Sequence, residues 1–492
     1  MVTRPTQIAS FEEPPRSLDD RGTNDDDAQA ARRRSAGTGG LHQSYVPEMP
    51  PLPRHHHRRR RYVTVRSKFL LSGGFAALWV TFSAWLAIPW ILDTAKILSL
   101  IPAMILVTLL AFIPGGLVAF LLASILLDHQ PRLTNEYPTG PVTVLIAARN
   151  EEASIGETVR YLAAQDYGGP LHIILVDNGS TDATSATVKA AAVEHDVEVT
   201  VLHETRPGKS LALNRGLEIV DTPVVITLDA DTILQRSAIR LLMARHASAP
   251  DDVVAVAGSV LVRNSRAGFW TRVQEWDYFL GIASVKRMQG LFQGTLVAQG
   301  AFSLYETDAV RQVGSWPDAI GEDIVLTWKL LETGARVFYE PLAVAFTSAP
   351  EEFRAFARQR SRWARGMIEG LRTVPPWRQT RRFTRILTAV DLVIPLLDTA
   401  YVFAWIPGLV LACFGHFWLV GPMTLAVLPL TAMVYAVLFR RQWHDVFKPL
   451  GLVVRKNWVA LAAFLLVYQI VMSTVSVKGY LEELAHRRRQ WK

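Results

Sequence analysis

Two carboxylates, Asp229 and Asp231, stand one residue apart at the end of the stretch Pro223 to Thr232, PVVITLDADT. Paired hard oxygen ligands, with Thr232 behind them, suit Mg²⁺ or Mn²⁺ carrying a diphosphate. An Asp-x-Asp alone is common and also serves turns and helix caps, so the weight rests on its company. Asn150 and Glu151 follow the apolar run Val142 to Ala147, and Asp177 follows His172 to Val176. Lys209 sits in Pro207-Gly208-Lys209-Ser210, and Gln299, Gly300 and Ala301 form a polar loop. Gly321, Glu322 and Asp323 open an amphipathic stretch, and Gln359, Arg360, Ser361, Arg362 and Trp363 lie within a basic one.

Something must hold these groups together. Val224, Val225, Ile226 and Leu228 form a continuous apolar run, as expected for a strand covered on both faces. From Pro141 short apolar runs alternate with amphipathic stretches, which predicts βαβ units and an α/β domain with a mostly parallel sheet. Further strands are expected near Val197 to Leu202 and Val253 to Val262, with helices ending near Gln165 and Ile219 and one from about Trp270 to Met288. The parallel strands end in polar residues on one sheet edge, the edge where a nucleotide lies in open α/β sheets. Acids at the start of the Glu322 helix also complement its dipole. The stretch Phe353 to Leu371 reads as an interfacial helix with arginines snorkelling at a membrane surface.

Composition sets bounds on the rest. The chain has 492 residues, half of them hydrophobic, which exceeds one compact core and predicts at least two structural units. Its single cysteine, Cys413, excludes a disulfide framework or a cysteine zinc site. The net charge of +8 gathers in tails and beside apolar segments, favouring anionic lipid and a cytoplasmic side over nucleic acid. Residues 1–62 read as a disordered basic tail that closes on Arg54 to Tyr62. Residues 63–130 hold two expected spans, near Phe69 to Leu92 and Ile97 to Leu127, which place the 138–375 domain on the cytoplasmic side of a multi-pass cell-membrane protein. Residues 380–480 hold about three more, near Leu387 to Phe414, Phe417 to Phe439 and Trp458 to Val477, before a basic tail at 481–492. Five spans put that tail outside, whereas its charges place it inside. Asp391 and Asp398 interrupt the third span, so it is expected to be partly interfacial or to face a polar channel.

Asp177, Asp229-Ala230-Asp231, Gly321-Glu322-Asp323 and Gln359-Arg360-Ser361-Arg362-Trp363, in that order and between membrane segments, resemble the processive family 2 glycosyltransferases. That group includes cellulose, chitin, hyaluronan and poly-N-acetylglucosamine synthases. The resemblance covers about residues 141 to 371 and the flanking spans, and departs modestly at Gly321, where a Thr often stands. It implies a GT-A-type nucleotide-sugar transferase domain inserted between transmembrane helices. It implies inverting polymerisation of a β-linked polysaccharide from UDP-N-acetylglucosamine or UDP-glucose, with export of the product and room for accessory export or modification proteins. Asn150, Glu151 and Asp177 would contact the uridine, Lys209 the diphosphate, and Asp229 and Asp231 the diphosphate and its Mg²⁺ or Mn²⁺. Asp323 would be the general base. Gln359 and Arg362 would steady the leaving diphosphate, Trp363 would stack on the acceptor sugar, and Gln299 and Gly300 would border it. An inverting transfer does need one base, a cation for the leaving group and an aromatic platform for a sugar chain.

Two other readings compete. A non-processive transferase acting on a lipid-linked acceptor would share the sheet and the Asp229 and Asp231 pair, but has no need of Gln359 to Trp363. A transporter or binding protein would need symmetry among its spans, and none is legible.

Overall fold

The computed structural model describes residues 63–420, 424–454 and 456–486. The expected tail at 1–62 and the basic residues Arg487, Arg488, Arg489 and Lys492 lie outside them. At the centre is an eight-stranded sheet of β1 (Val142–Ala148), β2 (Leu171–Asp177), β3 (Val199–His203), β4 (Val224–Asp229), β5 (Ile233–Leu234), β6 (Val253–Val262), β7 (Phe302–Glu306) and β8 (Arg336–Thr347). Its order is β3-β2-β1-β4-β7-β6-β8-β5. The β3-β2-β1-β4 half is wholly parallel, so the carboxyl ends of these four strands share one edge. Strand β7 enters antiparallel between β4 and β6, while β6 and β8 run parallel.

Alternate residues of the apolar runs feed opposite sides of this sheet. Val144, Ile146, Ile226 and Leu228 join one buried cluster, and Leu145, Val225 and Val176 join another. Burial on both faces is the physical reason these strands carry no polar alternation.

Strands β7 and β8 escaped the periodicity reading. Strand β8 holds Glu340 and Pro341 in mid-run, and its register against β6 shifts between Ala257 and Ser259, where a proline can be accommodated. Glu340 is fully buried against Arg245, 2.7 Å away, so its charge is paired inside the fold.

Among the described residues three helices are long and apolar enough to cross a membrane: Val65–Leu86, Leu100–Leu127 and Arg382–Cys413. A fourth apolar unit, Trp458–Leu466 with Tyr468–Leu484, is bent by 53° at Val467. The expected segment Phe417 to Phe439 falls on the helix Thr424–Gln442. One buried cluster ties these helices to the domain: Arg287 meets Asp128, at the end of the second helix, and Asp445, both at 2.8 Å. Arg441 adds bonds to the carbonyls of Ile125 and Asp128. Asp398, an acid expected to face protein or a polar channel, accepts hydrogen bonds from Ser473 at 2.7 Å and Tyr480 at 2.8 Å.

Candidate active site

The site grows from the shared edge of β1, β2, β3 and β4. The turn after β1 places Asn150 in the left-handed region, φ 55°, which asparagine tolerates better than most residues. Its Oδ1 accepts the Thr181 N–H at 2.8 Å, and its own N–H donates to the Ser180 hydroxyl at 3.0 Å. Glu151 accepts the Ser154 hydroxyl at 2.9 Å. Asp177 is buried, which opposes its charge, but hydrogen bonds from Ser180 and Ser185 and nearby His203 prevail and hold its carboxyl below the ordinary range. Asn150, Glu151 and Asp177 thus brace a double loop across β1 and β2.

Asn178 carries that brace to the next strand. Its Nδ2 donates to the Arg206 carbonyl at 2.7 Å and its Oδ1 accepts the Gly208 N–H at 2.8 Å. Gly208 adopts φ 157° and begins the helix Lys209–Leu217. Lys209 then reaches the end of β4, with Nζ 2.7 Å from Asp229 Oδ1 and 3.4 Å from Glu322 Oε1. Burial works against its charge, but Asp229, Glu322 and Asp323 together hold it firmly protonated.

Asp323 lies in the first turn of the helix Glu322–Glu332. Its Oδ2 accepts the Gly300 N–H at 3.2 Å and its Oδ1 the Ile324 N–H at 2.9 Å, so one expected acceptor-loop residue orients the expected base. The Gln299 side chain turns inward instead, donating to the Gly258 carbonyl at 2.6 Å. Burial, partly opposed by Lys209 and reinforced by Asp323, pushes Glu322 up to about 7. Asp231 accepts from Thr232 and Thr347, each at 3.3 Å.

The long helix Phe353–Thr373 brings the Gln359 to Trp363 motif to this edge. It crosses the start of the Glu322 helix so closely that a Cβ on Gly321 would lie 2.7 Å from the Gly366 Cα. Arg362 is exposed, and desolvation by its surroundings together with nearby Arg358 lowers its pKa, with Glu322 opposing. Gln359 keeps a buried Oε1 with no partner among the described residues. Trp363 is 41% exposed, a large indole left open at the surface of the site.

Four groups that the sequence reading did not assign complete the arrangement. Arg360 is fully buried, 2.9 Å from Asp277, and its guanidinium stacks 4.0 Å from the centre of the Trp363 ring. Tyr278 lies at 6.3 Å from the same ring. Lys286, bonded to the Val297 carbonyl at 2.9 Å, is lowered to about 7 by burial, with Asp323 opposing. Arg360 was visible inside the motif, but Asp277, Tyr278 and Lys286 stand on an ordinary amphipathic pattern that carries no signal of its own.

Among the described residues no group of three or more His, Cys, Asp or Glu side chains is poised to hold a metal. The two acids Asp229 and Asp231 still fit a magnesium-like ion, which takes one or two carboxylates and completes its shell with phosphate oxygens and water.

A family model described as "Glycosyltransferase like family 2" matches residues 138–366. The chain is 32% identical over 273 residues to the poly-beta-1,6-N-acetyl-D-glucosamine synthase of Staphylococcus aureus strain COL, covering 55% of this chain and 65% of that protein. It is 31% identical over 231 residues to the synthase of the same name from Staphylococcus epidermidis, covering 47% of this chain and 55% of that protein. The matched region therefore spans less than two thirds of the length of these relatives. Among solved structures, a mannosyltransferase from Pyrobaculum calidifontis in complex with GDP-Man and Mn²⁺ superposes with a TM-score of 0.50 at 20% identity, covering 76% of this chain and 98% of that one. That likeness concerns the fold.

Proposed function

We propose, for a chain whose residues 138–366 are a family 2 glycosyltransferase domain, that it is a membrane-embedded inverting enzyme polymerising a β-linked polysaccharide from UDP-N-acetylglucosamine. The observation that carries this reading is the close crossing at Gly321 and Gly366, which sets the exposed Trp363 and the base Asp323 on adjoining helices. A single sugar transfer needs no such platform beside the base. A chain that must be held while it grows does.

In this reading Asn150, Glu151 and Asp177 shape the uridine pocket. Asp229 and Asp231 would hold a divalent cation, whose chemistry there would be to neutralise diphosphate charge. Lys209 places a fixed positive charge at the same edge, with Gln359 and Arg362 on the opposite side. Asp323, oriented by the Gly300 N–H, takes the proton from the acceptor hydroxyl as that oxygen attacks the anomeric carbon from the face opposite the diphosphate. Trp363 stacks on the acceptor ring while this occurs.

The apolar helices would place the domain at the cytoplasmic face of the cell membrane. We read four crossings: the three long apolar helices and Thr424–Gln442, whose 19 residues rise about 28 Å at 1.5 Å each. The bent unit Trp458 to Leu484 starts and ends on the catalytic domain. Asn457 bonds Glu275 at 2.8 Å before it, and Glu483 pairs with Arg365 at 3.1 Å near its end. Four crossings return the basic C-terminus to the domain's own side, in agreement with its charge.

The test is a donor panel. Purified protein given radiolabelled UDP-N-acetylglucosamine, UDP-glucose or GDP-mannose should build long product from the first alone. A single addition to lipid would favour the lipid-acceptor transferase, and no incorporation from any donor would refute an enzymatic role.

A further inference from the structure

We propose that Tyr468, at the bend of the C-terminal helix pair, is a positioning residue for the acceptor platform, acting on Trp363 through Asp277 and Arg360; this rests on Trp363 being that platform. The Tyr468 hydroxyl donates to Asp277 Oδ2 at 2.7 Å. The same oxygen lies 2.9 Å from Arg360 Nη2, and Arg360 in turn sits 4.0 Å from the Trp363 ring centre. Arg360 is 2% exposed and is walled by Tyr278 and Phe356, at 5.6 and 5.3 Å from their rings. A buried guanidinium in that position needs its carboxylate held still, because its only charge partner among the described residues is Asp277.

The carboxylate is held from two directions. Asp277 begins a π-helical turn, Asp277–Ile282, an irregularity that recurs at functional sites. From the other side the bent helix pair supplies Tyr468 as the first residue of its second helix, with its ring against Phe356 and Phe464 at 6.0 and 5.3 Å. The two helices of this bent pair change direction by 53° at Val467, and that bend aims Tyr468 at the domain.

The rest of the second helix, Tyr468–Leu484, clasps the same motif helix. Ser361 donates to Glu482 at 3.1 Å, and Glu483 pairs with Arg365 at 3.1 Å and Arg372 at 3.5 Å. Gly479 lies against the motif itself, where a Cβ would stand 2.6 Å from the Ser361 carbonyl oxygen. The second helix of a unit whose composition suits a membrane span is thus bound to residues 356–372. Its job here is to set the angle of one indole.

The experiment uses the full chain in lipid nanodiscs with UDP-N-acetylglucosamine, reading product length, donor KM and UDP affinity. Tyr468→Phe removes one hydrogen bond to a charged group, a change that corresponds to about tenfold in an equilibrium. Product should shorten by about that factor while donor KM and UDP affinity stay at wild-type values. Asp277→Asn should do the same, and the double variant should be no worse than the more affected single, because both act through Arg360. Tyr480→Phe removes the same group from the same helix, where it meets Asp398, and should leave product length unchanged. Wild-type product from Tyr468→Phe, additive losses in the double variant, or equal shortening by Tyr480→Phe would each overturn the relay. If the wild type polymerises in that assay, such a failure belongs to this inference alone; if it makes no polymer, the functional reading falls and this one with it.

Discussion

Gly321 and Gly366 face each other without side chains, each so placed that a Cβ on one would lie 2.7 Å from the other's Cα. The first immediately precedes Glu322 and Asp323, and the second follows Trp363 by less than one helical turn. In the proposed reading this pair sets the distance between the base Asp323 and the platform Trp363. It also explains the departure at position 321, where a larger residue would push the helix Phe353–Thr373 away.

Gly321→Thr should therefore cost both stability and turnover. Overpacking of a tight contact costs about 1–3 kcal/mol, and a displacement of about 1 Å at a reacting centre can cost about 10²-fold in rate. Thermal unfolding in detergent and turnover at saturating donor measure the two, with donor affinity expected to hold.

The two acids of the same helix should separate cleanly. Asp323→Asn keeps shape and removes the proton acceptor, so turnover should fall by about 10²- to 10⁴-fold with UDP-sugar affinity little changed. Glu322 instead faces Lys209, and Glu322→Gln should alter donor binding more than turnover. Wild-type turnover in Asp323→Asn with loss in Glu322→Gln would move the base by one residue.

Stability should pass through a shallow minimum near neutral pH. Glu322 is held protonated up to about 7 while the unfolded chain gives up that proton above about 4.5, so its contribution falls as pH rises between those values. Lys286 is neutral above about 7 while the unfolded chain stays charged to about 10.5, so its contribution grows as pH rises across that range. Melting temperatures of Glu322→Gln and Lys286→Met from pH 5 to 9 check this: the first should lose the descending limb and the second the rising one.

Much of this was legible in the sequence, and the limits have physical causes. Strands β1, β2, β4 and β6 announced themselves because burial on both faces demands unbroken apolar runs. Strand β8 did not, because its buried Glu340 is tolerable only through Arg245, a partner far away in the chain. Asp229, Asp323 and Trp363 stood out as motifs, whereas Asp277 and Tyr468 matter only through contacts that the fold creates. The bend at Val467 was hidden for the same reason: hydropathy measures affinity for lipid and is blind to Glu483 binding Arg365.

Arg287 offers a test of how the domain is moored. It is 3% exposed between Asp128 and Asp445, so Arg287→Ala would leave the buried Asp128 carboxylate without its ion-pair partner, a loss of about 3–5 kcal/mol, while Asp445 keeps Arg441. Yield and melting temperature should both drop, and limited proteolysis should release the domain from the helices.

Metal dependence should follow Asp229 and Asp231 together. Exchange of either for Ala, or treatment with EDTA, should abolish turnover; Asp231→Ala should do so without lowering the melting temperature, whereas Asp229→Ala also removes the 2.7 Å partner of Lys209 and should lower it. Restored activity with Mg²⁺ or Mn²⁺ in the wild type and none in the variants identifies the acids as the cation's ligands. Full activity of Asp231→Ala in EDTA contradicts the assignment.

The central claim is that one active site, built from Asp229, Asp323 and Trp363, adds sugars repeatedly to a chain it does not release. A pulse of radiolabelled UDP-N-acetylglucosamine to the purified protein, followed by a chase with excess unlabelled donor, measures this directly. The labelled chains should grow longer through the chase while their number stays constant, and Trp363→Ala should stop that growth with UDP binding intact. Label that stays in a single sugar on lipid, or chains in Trp363→Ala that lengthen as in the wild type, would contradict it.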